Sequence, residues 1–75
     1  MKFSVGQVTV EPIVMEHGAA TKFLVTKSNF EAMGTWFEAA CAIQEATGGS
    51  FTASRKIVDG LADLAEICAV RAACA

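Results

Sequence analysis

The sequence predicts an α+β fold in which an N-terminal β-hairpin packs on two C-terminal antiparallel α-helices, in the order ββαα. Three observations carry this. The first 27 residues alternate and are rich in β-branched side chains, the stretch from Ser28 to Gly49 repeats its apolar positions with helical period, and the same period returns from Ala53 to Ala73. At 75 residues the chain is one small domain, with strands expected over about 2–11 and 21–27 and helices over about 29–46 and 53–73.

The first strand changes phase once. Phe3 and Val5 share one parity, Val8, Val10 and Val14 the other, with Gly6 and Gln7 between them. A one-residue bulge at the glycine restores a single buried face. Pro12 cannot donate to a ladder, so this strand is expected to lie at an edge or to end near Glu11. Met15 to Ala20 reads as a turn, and Thr21 to Lys27, with Phe23 and Val25 on one side, as the return strand. A short helix over Met15–Lys27 is the alternative for this segment.

Ser28 and Glu31 stand in the S-x-x-E relation of a capping box, which predicts a helix start, and Gly48-Gly49 predicts its end. Between them Phe30, Met33, Trp36, Phe37, Ala40, Cys41 and Ile43 fall on one arc. Glu31, Glu38 and Glu45, seven residues apart, are expected to form an acidic ridge. Ala32, Thr35, Ala39, Ala42 and Ala46 make a strip of small side chains. That strip suits close approach of a second helix, from this chain or a partner, or it reflects alanine as the best helix former.

The last helix is expected to be capped by Thr52 or Ser54 and to bury Ile57, Val58, Leu61, Leu64, Ala65, Cys68, Ala69 and Ala72. Arg55, Lys56, Asp59, Asp63 and Glu66 form its solvated side. Gly60, inside the periodic run, costs about 1 kcal/mol against alanine and points to a tight crossing. Ile67 and Val70 break the pattern by projecting from the polar flank.

Composition narrows the function classes. Apolar residues make up 53% of the chain and the mean hydropathy is +0.43. A chain this short buries only about 60–65% of its unfolded surface. Association with another chain is the economical outcome. The net charge of −2 and pI near 5.2 argue against nucleic acid and anionic membranes as partners. No apolar run reaches the roughly 18–20 residues of a membrane span, and the first residues lack the apolar core of a secretory signal. Cys41, Cys68 and Cys74 are odd in number and form no C-x-x-C pair, so a reducing cytoplasm is expected, with Cys41 and Cys68 in the core.

Chemistry-bearing groups are sparse. His17 is the lone histidine, and as a turn residue it reads as solvated surface. Asp59, Asp63 and Glu66 share one helical side, which supplies too few converging oxygens for a hard cation. Gly48-Gly49 follows a helix and lacks the pattern of a phosphate loop. No catalytic residue, cofactor or metal ligand is expected.

The expectation is therefore a small, acidic, non-enzymatic interaction protein, a homo-oligomer that binds another protein as inhibitor or assembly factor. Glu31, Trp36, Glu38, Glu45, Ile67 and Val70 are its candidate interaction residues. A nucleic-acid-binding regulator using Lys22, Lys27, Arg55 and Lys56 is the alternative. The order of β segment, helix, Ala46-Thr47-Gly48-Gly49 and helix is similar in outline to bacteriophage tail-assembly chaperones, an architectural likeness without a specific motif, which implies a phage-encoded assembly role.

Overall fold

Four short strands run as an antiparallel meander before the two helices begin. A computed structural model describes residues 2–16 and 19–74, the side chains of 73 and 74 excepted. Strand β1 spans Phe3–Val5, β2 Val8–Ile13, β3 Lys22–Lys27 and β4 Phe30–Gly34, and they lie in the sheet in that order. Helix α1 spans Trp36–Thr47 and α2 Phe51–Cys74. The predicted class, a β layer followed by two helices, is what the chain adopts, with four strands where a single hairpin was expected.

The phase change at Gly6-Gln7 is a turn and not a bulge. Phe3 pairs with Val10 and Val5 with Val8 across a two-residue connection, and Gly6 takes φ +57, as the first residue of a primed hairpin turn requires. Both devices shift the alternation identically along the sequence. The turn also reverses the chain, so Phe3, Val5, Val8 and Val10 all reach the helix-facing side.

Pro12 lies inside β2, opposite Phe23, although β2 is flanked by β1 and β3. Residues flanking a two-residue turn form the hydrogen-bonded pair, so residues 8, 10 and 12 direct their main-chain groups toward β1, and 9, 11 and 13 toward β3. The Ser28 N–H donating to the Gln7 carbonyl at 3.2 Å obeys the same parity. Strand β1 begins at Phe3, opposite Val10. The donor that proline lacks therefore falls beyond β1, at no loss to the β3 ladder.

The largest correction concerns residues 28–34, which form a turn and a strand instead of the first helical turns. Ser28, at φ 50, and Asn29 connect Lys27 to Phe30, and β4 pairs along β3 as far as Phe23 with Gly34. The capping box that operates is the next one along, Thr35-Trp36-Phe37-Glu38. The Thr35 N–H donates to Glu38 Oε1 at 3.0 Å and the Glu38 N–H to Thr35 Oγ1 at 3.4 Å. A Cβ on Gly34 would lie 3.1 Å from the Glu38 side chain, so glycine there gives the capping carboxylate its room. The exit of α1 is as predicted: Gly48 is left-handed at φ 71 and its N–H donates to the Gln44 carbonyl at 2.9 Å.

Helix α2 begins three residues later and is capped by Ser50, not by Thr52 or Ser54. The Ala53 N–H donates to Ser50 Oγ at 3.1 Å, while buried Ser54 donates back to the Ser50 carbonyl at 3.0 Å. Its 24 residues at 1.5 Å each make a rod of about 36 Å. That nearly equals the longest molecular dimension, 39 Å, and is twice the length of the 12-residue α1.

Register places Val10, Phe23 and Val25 on the side of the sheet that carries the helices. They pack with Ala39, Ala40, Ala42 and Ile43 of α1 and Val58 and Leu61 of α2. Of the residues α1 buries, Ala39 and Ala42 come from the small-residue strip and Ala40 and Ile43 from the predicted arc, whose aromatic members Trp36 and Phe37 lie exposed. Alanines let the helix axis come close to the sheet, and rings there would hold it off.

These assignments predict that Thr35→Ala lowers stability by about 1 kcal/mol in urea denaturation. Glu31→Ala, at the site of the unused box, is expected to change it by less than about 0.5 kcal/mol.

Candidate interaction surfaces

The fold leaves nine large apolar side chains exposed among the described residues, and they fall into groups. Phe30 and Met33 lie on β4, Trp36 and Phe37 at the start of α1. Val14 and Met15 follow β2, and Leu64, Ile67 and Val70 lie on α2.

The α2 group follows from helix geometry. Val58 and Leu61 face inward with half-buried Ala62, Ala65 and Ala69. At 100° per residue Leu64, Ile67 and Val70 project to the other side. They are 53%, 49% and 62% exposed. Leu64, expected in the core, belongs to this outer stripe, and Cys68, also expected inside, is exposed. Gly60 lies on the same outer side, and a Cβ there would meet nothing within 4 Å. The tight crossing expected at this glycine does not occur within the described residues. Asp59, Asp63 and Glu66 flank the stripe, with Arg71 toward its end. Glu66 accepts a 2.7 Å hydrogen bond from the Thr21 hydroxyl, tying the chain before β3 to the helix. Val14, Met15, Ala20 and Val70 then line one shallow crevice.

Trp36 and Phe37, at the start of α1, meet Phe51 of α2. Ring centroids are 5.7 Å apart for Trp36–Phe37, 6.4 Å for Trp36–Phe51 and 5.5 Å for Phe37–Phe51. The Arg55 guanidinium stacks over the indole at 4.7 Å, an exposed cation–π contact worth about 0.5–1 kcal/mol.

The acidic ridge is not formed. Glu31 lies on the outer side of β4, since its partner is Thr26, whereas Glu38 and Glu45 belong to α1. Glu38 is engaged in the cap, and Glu45 pairs with Lys27 at 3.5 Å. The cations are equally dispersed. Lys22 lies on the outer side of the sheet and Lys27 on the helix side; Arg55 covers Trp36 and reaches Asp59 at 3.9 Å, and Lys56 is exposed on α2. They share no single basic face.

Ile67, Val70 and Trp36 are accessible, as a role in contact requires. Phe30, Met33, Phe37 and Leu64 join them, and the sequence reading had placed these inside. A second T-x-x-E at 35–38 and the Ser28-Asn29 turn were the available signals for the first three. Cys41 is half-buried. His17 lies outside the described residues, as does the side chain of Cys74. Among the described residues no three His, Cys, Asp or Glu side chains come together as a metal-binding group, and no helix is long and apolar enough to cross a membrane.

Comparison with protein-family models, with curated proteins and with solved structures finds no match to this chain.

Because no described residue occupies the space beside Gly60, Gly60→Ala is expected to stabilise the protein by roughly 0.5–1 kcal/mol, read as a higher midpoint in thermal denaturation.

Proposed function

We propose that this chain is a non-enzymatic protein-interaction module that works in the cytoplasm by binding another protein through the outer face of α2, as an inhibitor or assembly factor. One observation supports this above the others. Leu64, Ile67 and Val70 form an aliphatic stripe on the side of α2 turned away from its own core. A helix with a single apolar face satisfies it by packing once; a second apolar face on the same helix has no use inside this fold.

The surroundings suggest the partner's chemistry. Asp59, Asp63 and Glu66 edge the stripe, so the matching surface is an apolar groove rimmed by lysine or arginine. Such a partner takes up an amphipathic helix through anchors spaced three and four residues apart. The acidic contribution comes from α2 in this reading, and not from Glu31, Glu38 and Glu45. Trp36, under Arg55, is secondary.

The test is a photo-cross-linking residue placed at 67, and in a separate variant at 11 on the opposite side of the sheet, each expressed in the native host. A discrete protein adduct formed from 67 and not from 11 is the expected result. Ile67→Asp should weaken binding of the captured protein by about 30-fold, the equivalent of ~2 kcal/mol for a central anchor, with the circular dichroism spectrum unchanged. Equal adducts from both positions, or binding indifferent to Ile67→Asp, would remove the proposal.

A further inference from the structure

The two edges of the sheet are protected very differently. Strand β1 is three residues long, and short edges offer little template to a passing strand. Strand β4 has five residues and, among the described residues, pairs only with β3. It contains no proline or lysine, and its paired register with β3 runs unbroken from Phe30 to Gly34. In place of those guards it displays Phe30, 63% exposed, and Met33, 55% exposed.

We propose that two copies of this chain pair β4 with β4 about a two-fold axis at Ala32, joining the two sheets into one of eight antiparallel strands. This edge is a different surface from the α2 stripe, so either contact can fail alone.

Main-chain parity sets the donors. Residues 30, 32 and 34 bond toward β3, because Lys27 and Phe30 close a two-residue turn. The N–H and C=O groups of Glu31 and Met33 therefore point to the free edge. Antiparallel pairing centred on Ala32 sets Glu31 of each copy opposite Met33 of the other, and the two pairs exchange four main-chain hydrogen bonds.

Side chains select that register over its neighbours. Centring on Glu31 sets two like charges directly opposite each other, which is unfavourable. Centring on Met33 leaves Phe30 outside the overlap. A slip of one residue sends the second copy's helices to the other side of the sheet. With Ala32 at the axis all five residues pair, both helical layers stay on one side, and each Phe30 ring faces the other copy's Gly34.

Phe30 itself lines, with Val25, Ala32, Gly34 and Glu38 of its own chain, an open groove between β4 and α1 of about 140 Å³, and the other copy's Phe30, set opposite Gly34, covers the open side of that groove. One large residue opposite a glycine, with a small residue on the axis, gives the self-complementarity that a two-fold contact needs.

The experiment measures mass by light scattering and cross-links a single introduced cysteine. The chain is expected at twice its 7.9 kDa mass. Glu31→Pro removes an edge-facing donor without touching the β3 ladder and should shift the dimer midpoint upward by at least about tenfold at unchanged circular dichroism. Ile67→Asp should leave the dimer intact, which separates this proposal from the α2 reading. In a background with the three native cysteines replaced by alanine, Ala32→Cys should form a covalent dimer on mild oxidation. Non-hydrogen-bonded antiparallel partners lie about 4.5 Å apart at Cα, within disulfide reach. Leu24→Cys, one strand inward, should not. A monomer up to the solubility limit, or a dimer in which Ala32→Cys fails to cross-link, overturns the proposal. Should Glu31→Pro not fold, the cross-link decides alone.

Discussion

The structure depends on the close seating of α1 against the sheet through alanine. Ala39, Ala40 and Ala42 are all buried beside Val10, Phe23 and Val25, and Ile43 is the one large side chain that α1 buries fully. This packing brings the layers together and keeps voids small, but alanine removes little apolar area from water. The fully buried bulk rests on Phe23, Ile43, Val10 and Val58, with the Ser54 hydroxyl satisfied by the Ser50 carbonyl. The larger groups of the same segment, Phe30, Met33, Trp36 and Phe37, are left outside.

Both proposed contacts follow from that seating. Helix α1 lies chiefly over β2 and β3, so Phe30 on the helix side of β4 is left at the rim of the helical layer, while Met33 lies on the outer side of the sheet, which has no layer over it. Helix α2 is twice as long as α1, so its later turns have less body behind them than the turns around Val58 and Leu61. Each feature is a mismatch of length or width between layers. In both proposals a second polypeptide provides the cover.

The junction at residues 34–38 holds these parts in relation. Gly34 ends β4 without a Cβ, Glu38 folds back over it to cap α1, and Thr35 returns the bond. The edge strand and the first turn of the helix are thereby fixed to each other. The aromatic group of Trp36, Phe37 and Phe51 then sits where the two helices begin, with Arg55 closing it over.

Several parts of this were legible in the residues themselves. Local chemistry determined the β-then-α order, the return strand over 21–27, the stop at Gly48 and the long period of α2, because turns, caps and periodicity act within a few residues. The outward projection of Ile67 and Val70 was legible for the same reason, being a property of one helix. Residues 28–34 were not. Ser28-Asn29-Phe30-Glu31 meets a helix cap as well as Thr35-Trp36-Phe37-Glu38 does, and a two-residue turn shifts alternation just as a bulge does. The choice fell to pairing with β3, a strand whose free side is invisible until the sheet is assembled. Which face of α1 turned inward was likewise decided by how near its backbone could come to Phe23 and Val25. Local sequence thus settled what each segment could form, and tertiary packing decided that Phe30, Met33, Trp36 and Phe37 were left in water, since burial depends on what lies across the gap.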